Sequence, residues 1–161
     1  MEVIPFDEKY INDANQIWNE VVAEGVSFPQ EEELTEETGL EFFKSQSFTG
    51  LAIKDGEVVG LYILHPNNVG RCGHISNASY AVKSDKRGMG AGEILVRHSI
   101  NKAGELGFRI LQFNAVVKNN ERALKLYEKI GFTKLGIIPE GFRLKDGRYE
   151  DIIPHYINVA K

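Results

Sequence analysis

The chain has 161 residues, of which 42% are hydrophobic and 26% are charged, and this length suits one globular domain. Its 19 basic and 23 acidic residues give a net charge of −4, and no basic stripe with interleaved aromatic residues favours a nucleic-acid partner. The single Cys72 excludes an internal disulfide framework, and no apolar run is long enough to span a membrane. We therefore expect one cytoplasmic domain over residues 1–161, without a membrane partner.

Two helices are predicted in the first third of the chain. Asp7 can cap the first, whose apolar side chains recur at helical spacing until the helix ends near Gly25. The loop that follows carries Phe28-Pro29 and three glutamates. Thr35 to Gln46 has the pattern of a second, shorter helix, with acidic residues at its positive end.

Strands are predicted next. The apolar runs Phe48 to Ile53 and Glu57 to Leu64 are joined by Asp55-Gly56, which is a strong signal for a hairpin. A loop that includes Pro66 interrupts the pattern, and a further strand runs from Cys72 to Val82. That strand leads directly into a glycine-rich stretch.

This glycine-rich stretch stands between a predicted strand and a predicted helix. Gly88, Gly90 and Gly92 leave the backbone uncluttered, so consecutive N–H groups could turn towards an anion at the positive end of the helix. Arg87 would add a formal charge. The spacing fits neither the Rossmann fingerprint nor the Walker loop. By itself the stretch indicates either a phosphate loop of another kind or a tight turn.

A second motif follows the helix after this loop and one more strand, Arg109 to Val117. The motif reads Asn120-x-x-Ala123-x-x-x-Tyr127-x-x-x-Gly131-Phe132. Asn120 can cap a helix, Ala123 and Tyr127 share one of its faces, and Gly131 can end it. Apolar segments at Thr133 to Phe142 and Tyr149 to Val159 then predict a final antiparallel pair of strands.

Together the two motifs resemble those of the GCN5-related N-acetyltransferases, in the order and spacing of that family. The resemblance covers roughly residues 75 to 135. It implies an acyltransferase that uses acetyl-CoA, with an α/β fold in which helices flank a mixed, mainly antiparallel sheet of about seven strands. The sheet should be splayed between the strand before the glycine loop and the strand after its helix.

The resemblance also implies roles for individual residues. Contacts to acetyl-CoA are expected from Tyr80, Ala81, Val82, Arg87, Gly88, Met89, Gly90, Ala91, Gly92 and Asn120. Tyr127 occupies the position of the family's general acid, which would protonate the departing thiolate of CoA. The alternative for Tyr127 is a core aromatic on an amphipathic helix.

The acceptor site is suggested by a piecemeal likeness to fungal acetyltransferases that act on proline analogues such as azetidine-2-carboxylate. In that branch the positions of Asn77, Asn114 and Asn120 are associated with the acceptor, and amides suit a small zwitterion. Phe28 would line the pocket or anchor its loop on the core. The branch does not reliably hold a tyrosine at the position of Tyr127.

Rival functions remain open at this stage. A protein or peptide acetyltransferase would need an open groove, and the acidic run Glu31 to Glu33 could attract a basic peptide. A non-catalytic acyl-CoA-binding module would keep the glycine loop without turnover. No metal site is expected, because the histidines lack ligand spacing with one another or with Cys72. The sequence leaves open whether the protein is a monomer or a homodimer.

Overall fold

The computed structural model describes residues 1–161 and contains four α-helices and one eight-stranded sheet. The helices are α1 (Ile11–Glu24), α2 (Glu36–Ser45), α3 (Ala91–Glu105) and α4 (Glu121–Ile130). The strands are β1 (Glu2–Pro5), β2 (Phe48–Lys54), β3 (Glu57–Pro66), β4 (Ile75–Val82), β5 (Ile110–Val117), β6 (Thr133–Lys134), β7 (Ile138–Arg143) and β8 (Tyr149–Asn158). None of the helices combines the length and the apolar composition that a membrane span requires.

The sheet confirms the predicted architecture. Its strand order is β1-β2-β3-β4-β5-β8-β6, with β7 also paired to β8, and only the β4–β5 pair is parallel. The strand predicted from Thr133 to Phe142 is instead two strands, because the backbone turns through the left-handed region at Gly136, where φ is 135°. The sheet therefore has eight strands where about seven were expected.

The splay between β4 and β5 is the feature that positions the site. The two strands pair only at Ile75–Ile110 and Ser76–Leu111, and then separate. At the fork, the side-chain amide of Asn77 donates to the carbonyl of Gln112 at 2.8 Å. Strand β4 begins at Ile75 and not at Cys72, since residues 70–72 form a short 3-10 turn.

Local signals set the ends of α1 and α2, although Asp7 caps a short 3-10 turn and not α1 itself. The carboxylate of Asp7 accepts from the N–H of Lys9 and caps a 3-10 turn that leads into α1, which ends at Gly25 with φ of 66°. The hydroxyl of Thr35 caps α2 in a reciprocal arrangement with Thr38.

The core has two layers, one on each side of the sheet. Strand β3 is buried on both faces, because its alternate side chains point to opposite sides. Leu61 and Ile63 pack under α1 and α2 with Trp18, whereas Tyr62 and Leu64 pack under α3. The sheet is thus held from both sides, and the opening between β4 and β5 lies within this rigid frame.

Candidate active site

The separation of β4 from β5 opens a cleft of about 930 Å³. Its walls are the two splayed strands, the start of α3, the inner face of α4 and the beginning of the loop after α1. The predicted site residues that line it are Phe28, Asn77, Tyr80, Val82, Arg87, Gly88, Gly90, Ala91, Gly92, Asn114, Asn120 and Tyr127. Residues that are far apart in the sequence are therefore brought together in one cleft.

The glycine loop presents a row of free N–H groups to this cleft. Gly88 and Gly90 have φ of 84° and 87°, in the left-handed region that favours glycine, and a Cβ atom there would meet nothing within 4 Å. The first helical bond of α3 runs from Ile94 N–H to Gly90 C=O at 3.2 Å. No acceptor in the protein is bound by the N–H groups of residues 88–93. With the positive end of α3 behind them, these groups suit a pyrophosphate.

The backbone of β4 offers a second set of groups. Lys83 N–H donates to the carbonyl of Val59 in β3 at 2.9 Å, and backbone groups along a strand point alternately to either side. Tyr80 and Val82 therefore turn their N–H and C=O groups away from β3 and into the splay. They are available there to the amides of an extended ligand.

Two predicted contact residues need correction. Ala81 turns its backbone groups to β3, and its buried side chain packs in the layer of α1 on the opposite face. The side chain of Met89 is 41% exposed and lies outside the cleft wall, so the contact expected from this residue is reduced to its backbone N–H, which has no acceptor in the protein. The strand register and the loop conformation, and not the position in the motif, decide which groups of these residues can face the ligand.

Arg87 is the cation of the glycine loop, and it is already paired in the protein. Its two terminal nitrogens contact the carboxylate oxygens of Glu24, at 2.5 and 3.3 Å. Glu24 is the last residue of α1, and it also lines the cleft. No sequence pattern indicates this pair, because the two residues are 63 positions apart.

Tyr127 has its ring in the core and its hydroxyl available to the cleft. The ring packs against Phe113 at 4.6 Å, Phe132 at 5.4 Å and His155 at 5.7 Å between ring centroids. Burial raises the pKa of the Tyr127 hydroxyl above its usual value, so the group keeps its proton across the physiological range. The two roles considered for this residue therefore describe different parts of one side chain.

The other tyrosine of the cleft is not equivalent. The Tyr80 hydroxyl lies 2.7 Å from Ser99 Oγ, and Ser99 in turn donates to the carbonyl of Val96. Tyr80 thus donates its proton to Ser99, and burial raises the pKa of its hydroxyl well above the ordinary value. Tyr127 is the only tyrosine of the cleft whose hydroxyl has no bond within the protein.

The two asparagines predicted for the acceptor are less free than expected. Asn77 gives its N–H to Gln112 at the fork. Asn114 is exposed, accepts from the Gln112 side chain at 3.0 Å and donates to Asn67 at 2.6 Å. Both side-chain amides therefore already have partners within the protein. Asn114 also lies in the register break of β5, so a structural reason for its presence exists.

Phe28 both anchors its loop on the core and lines the cleft. Its ring lies 4.5 Å from that of Trp18 and is 8% exposed, yet it also forms part of the cleft wall. The loop that carries it is fastened at its far end, where Asn19 exchanges two hydrogen bonds of 2.7 and 2.9 Å with the backbone of Leu34. The loop that forms this wall is therefore anchored at both Phe28 and Leu34.

Comparison with known proteins agrees with this geometry. The model of the acetyltransferase (GNAT) family matches residues 12–132. The chain belongs to this family. Membership confirms the predicted acyltransferase assignment and its N-acetyltransferase fold. No cluster of three or more potential metal-ligating side chains is present.

Two curated relatives are similar over different lengths. N-acetyltransferase aca1 of Schizosaccharomyces pombe is 34% identical over 100 residues, which is 62% of this chain but only 47% of that protein. YwnH of Bacillus subtilis, named as a candidate phosphinothricin acetyltransferase, is 28% identical over 84% of this chain and 85% of its own length. The chain thus spans less than half of aca1 and most of YwnH.

Solved structures share the fold along the whole chain. A GCN5-related N-acetyltransferase from Kribbella flavida is 31% identical, with a TM-score of 0.89 over 98% of this chain and 96% of that one. A phosphinothricin acetyltransferase from Sinorhizobium meliloti, solved with acetyl-CoA, is 19% identical, with a TM-score of 0.88 over 99% of this chain and 88% of that one. These similarities show that the chain has this fold along its whole length.

Proposed function

We propose that the protein transfers the acetyl group of acetyl-CoA to the amine of a small amino acid or amino acid analogue. The observation that carries the proposal is the continuity of the cleft. It leads from the free N–H groups of the glycine loop, past the backbone of β4, to the Tyr127 hydroxyl and the amides of Asn77 and Asn114. Its volume of about 930 Å³ lies within the range of small-ligand sites.

Acetyl-CoA would be held by its pyrophosphate and its pantetheine amides. The N–H groups from Gly88 to Glu93 would bind the pyrophosphate, and Asn120 contributes from the start of α4. Asn120 accepts from Ala123 N–H through Oδ1, so its NH₂ group stays free to donate. Tyr80 and Val82 would pair with pantetheine in the manner of an added strand.

The chain's own residues supply the chemistry of transfer. Backbone N–H groups of the splayed part of β4 would stabilise negative charge on the thioester oxygen when the acceptor nitrogen attacks the carbonyl carbon. Attack by the neutral amine forms the C–N bond and a tetrahedral oxyanion, whose collapse breaks the C–S bond. The leaving sulfur takes the proton of Tyr127, the acceptor nitrogen loses one proton to solvent, and solvent returns a proton to the tyrosine. Burial raises the pKa of the Tyr127 hydroxyl, so the group enters the reaction protonated, as a proton donor must.

A small acceptor is favoured by the fixed wall of the cleft. Phe28 is packed on Trp18, and its loop is bonded to α1 through Asn19 and to β7 through the Arg143–Glu31 ion pair. Because the loop is anchored at these points, we favour a small acceptor over an extended peptide. The name of YwnH points to phosphinothricin, an amino acid analogue, as the kind of molecule to test first. The fungal proline-analogue branch remains a second proposal within the same substrate class.

The site also depends on the last strand of the chain. His155 of β8 packs against Tyr127, although β8 lies beyond the residues matched by the family model. This contact supports the proposal that residues 1–161 act as one catalytic domain. A cytoplasmic location remains a prediction.

The test is release of free CoA from acetyl-CoA with a panel of acceptors. The panel contains phosphinothricin, proline analogues, other small amines and basic peptides. We expect turnover with at least one small amino acid or analogue and none with the peptides. Acetylation of a peptide without that of any free amine would replace the proposal with a peptide acetyltransferase. Binding of acetyl-CoA with no turnover on a broad panel would support a non-catalytic module.

A further inference from the structure

The charged side chains of the cleft are unequally paired. There are four: Glu24, Glu93, Arg87 and Arg122. Glu24 is paired with Arg87, and Glu93 is paired with two basic side chains outside the cleft, each at 3.0 Å. Arg122 forms no ion pair with any carboxylate. Arg122 is therefore the one charged side chain of the cleft without an ion-pair partner.

Arg122 stands beside the glycine loop. It is the second residue of α4, two positions after the cap Asn120. Leu126, one turn further along the same face of α4, lies 3.9 Å from the position that a Cβ atom of Gly92 would take. The start of α4 therefore flanks the start of α3, and the exposed guanidinium of Arg122 can reach over the mouth of the cleft.

The chemistry of CoA leaves one anionic group for such a cation. The pyrophosphate is met by the N–H groups of the glycine loop and, once released from Glu24, by Arg87. The remaining anion of CoA is the phosphate monoester on the 3′ position of its ribose. That group carries close to two negative charges at neutral pH, and the planar guanidinium fork matches phosphate oxygens.

Given the proposed use of acetyl-CoA, we propose that Arg122 binds the 3′-phosphate and thereby makes the enzyme select CoA over dephospho-CoA. The residue acts on binding and touches no reacting atom. Losing a charge-assisted contact at an exposed position should weaken binding roughly five- to thirtyfold. Affinity for a ligand without the 3′-phosphate should not change.

Calorimetric titration of three proteins with two ligands tests this assignment. The proteins are the wild type, Arg122→Gln and Lys125→Gln, and the ligands are acetyl-CoA and acetyl-dephospho-CoA. Lys125 is an exposed cation on the same helix that does not line the cleft, so its loss controls for general charge. We expect Arg122→Gln to bind acetyl-CoA roughly five- to thirtyfold more weakly and acetyl-dephospho-CoA as tightly as the wild type. Lys125→Gln should lose less than twofold for either ligand.

Several outcomes would overturn the assignment. Equal weakening for both ligands would place Arg122 on the pyrophosphate, and unchanged affinity for acetyl-CoA would make it a solvated surface cation. A second readout is KM for the two cosubstrates in Arg122→Gln, which should rise roughly five- to thirtyfold for acetyl-CoA; an equal rise for acetyl-dephospho-CoA would contradict a role at the 3′-phosphate. If the wild type binds neither ligand, the proposed cosubstrate is wrong, which is a separate result.

Discussion

Arg87 of the glycine loop is held by Glu24, the last residue of α1, through contacts of 2.5 and 3.3 Å. The pair connects the proposed phosphate site to the start of the loop that carries Phe28, which forms part of the cleft wall. A carboxylate and a phosphate compete for the same guanidinium fork, because both bind it with two parallel hydrogen bonds. We therefore expect Glu24 to compete with the cosubstrate for Arg87.

Glu24→Gln should bind acetyl-CoA more tightly than the wild type. The substitution frees Arg87 and removes a negative charge next to the pyrophosphate. Exposed ion pairs contribute about 0.2–1 kcal/mol, so the Kd should fall by up to about fivefold. Calorimetric titration measures it, with Glu105→Gln as the control because Glu105 is ion-paired at the far end of α3. A higher Kd would show that Glu24 instead holds Arg87 ready for phosphate.

Gly90→Asp should abolish acetyl-CoA binding while the protein remains folded. An L-residue is strained at φ of 87°, and the carboxylate would stand where the pyrophosphate is expected. Gly107→Asp is the matched control, since Gly107 has φ of 91° and equally open surroundings beyond the other end of α3. Both variants should show a similar loss in Tm, but only Gly90→Asp should lose affinity. If folded Gly90→Asp binds acetyl-CoA with wild-type affinity, the assignment of the glycine loop to the phosphates is wrong.

Tyr127→Phe should lower kcat on the order of 10²-fold, with little change in the Kd for acetyl-CoA, because it removes a proton donor and keeps the packed ring. Tyr62→Phe provides the control. Tyr62 is a buried tyrosine outside the cleft, and its hydroxyl bonds to His98 at 2.8 Å. That variant should lose stability and keep its kcat. If Tyr127→Phe instead keeps its kcat and loses stability, as expected for Tyr62→Phe, then Tyr127 is a core residue only.

Asn77→Ala and Asn114→Ala should differ in their effect on stability. Removing Asn77 leaves the Gln112 carbonyl at the fork without its donor, which costs about 1–3 kcal/mol. Asn114 is exposed, so water can replace its bonds, and its loss should cost less than about 0.5 kcal/mol. Thermal unfolding measures the difference. On the acceptor proposal both variants also raise KM for the amine; wild-type kinetics in both would remove these residues from the acceptor site.

Stability should decrease as the pH falls through about 6.5, the ordinary value for a histidine in an unfolded chain. Burial lowers the pKa of His98 and of His155 in the folded protein. Between the folded and unfolded values the unfolded state binds more protons, so lowering the pH favours unfolding, and the stabilisation is fully present only above the unfolded value. His155→Phe should reduce the slope of Tm between pH 8 and 5.5. Parallel curves for the variant and the wild type would contradict this assignment.

Several local features could be predicted from the sequence because they depend on residues within one turn of each other. Gly88 and Gly90 indicated a left-handed loop before a helix, and both adopt positive φ. Asn120 indicated a cap, and its side chain accepts from Ala123 N–H. The turn at Asp55-Gly56 was equally local. The order of these signals along the chain was sufficient to indicate the family and hence the fold.

Only the tertiary structure decided which hydrogen-bond and ion-pair partners the side chains of the site have. Strand register, set through contacts such as Lys83 with Val59, turns Tyr80 to the splay and Ala81 away from it. The partners of Arg87 and Asn77 lie 63 and 35 positions away in the sequence. No periodicity or motif encodes such pairs, because they result from how helices and strands pack on one another. The sequence therefore determined which chemistry to expect, and packing determined which groups are free to perform it.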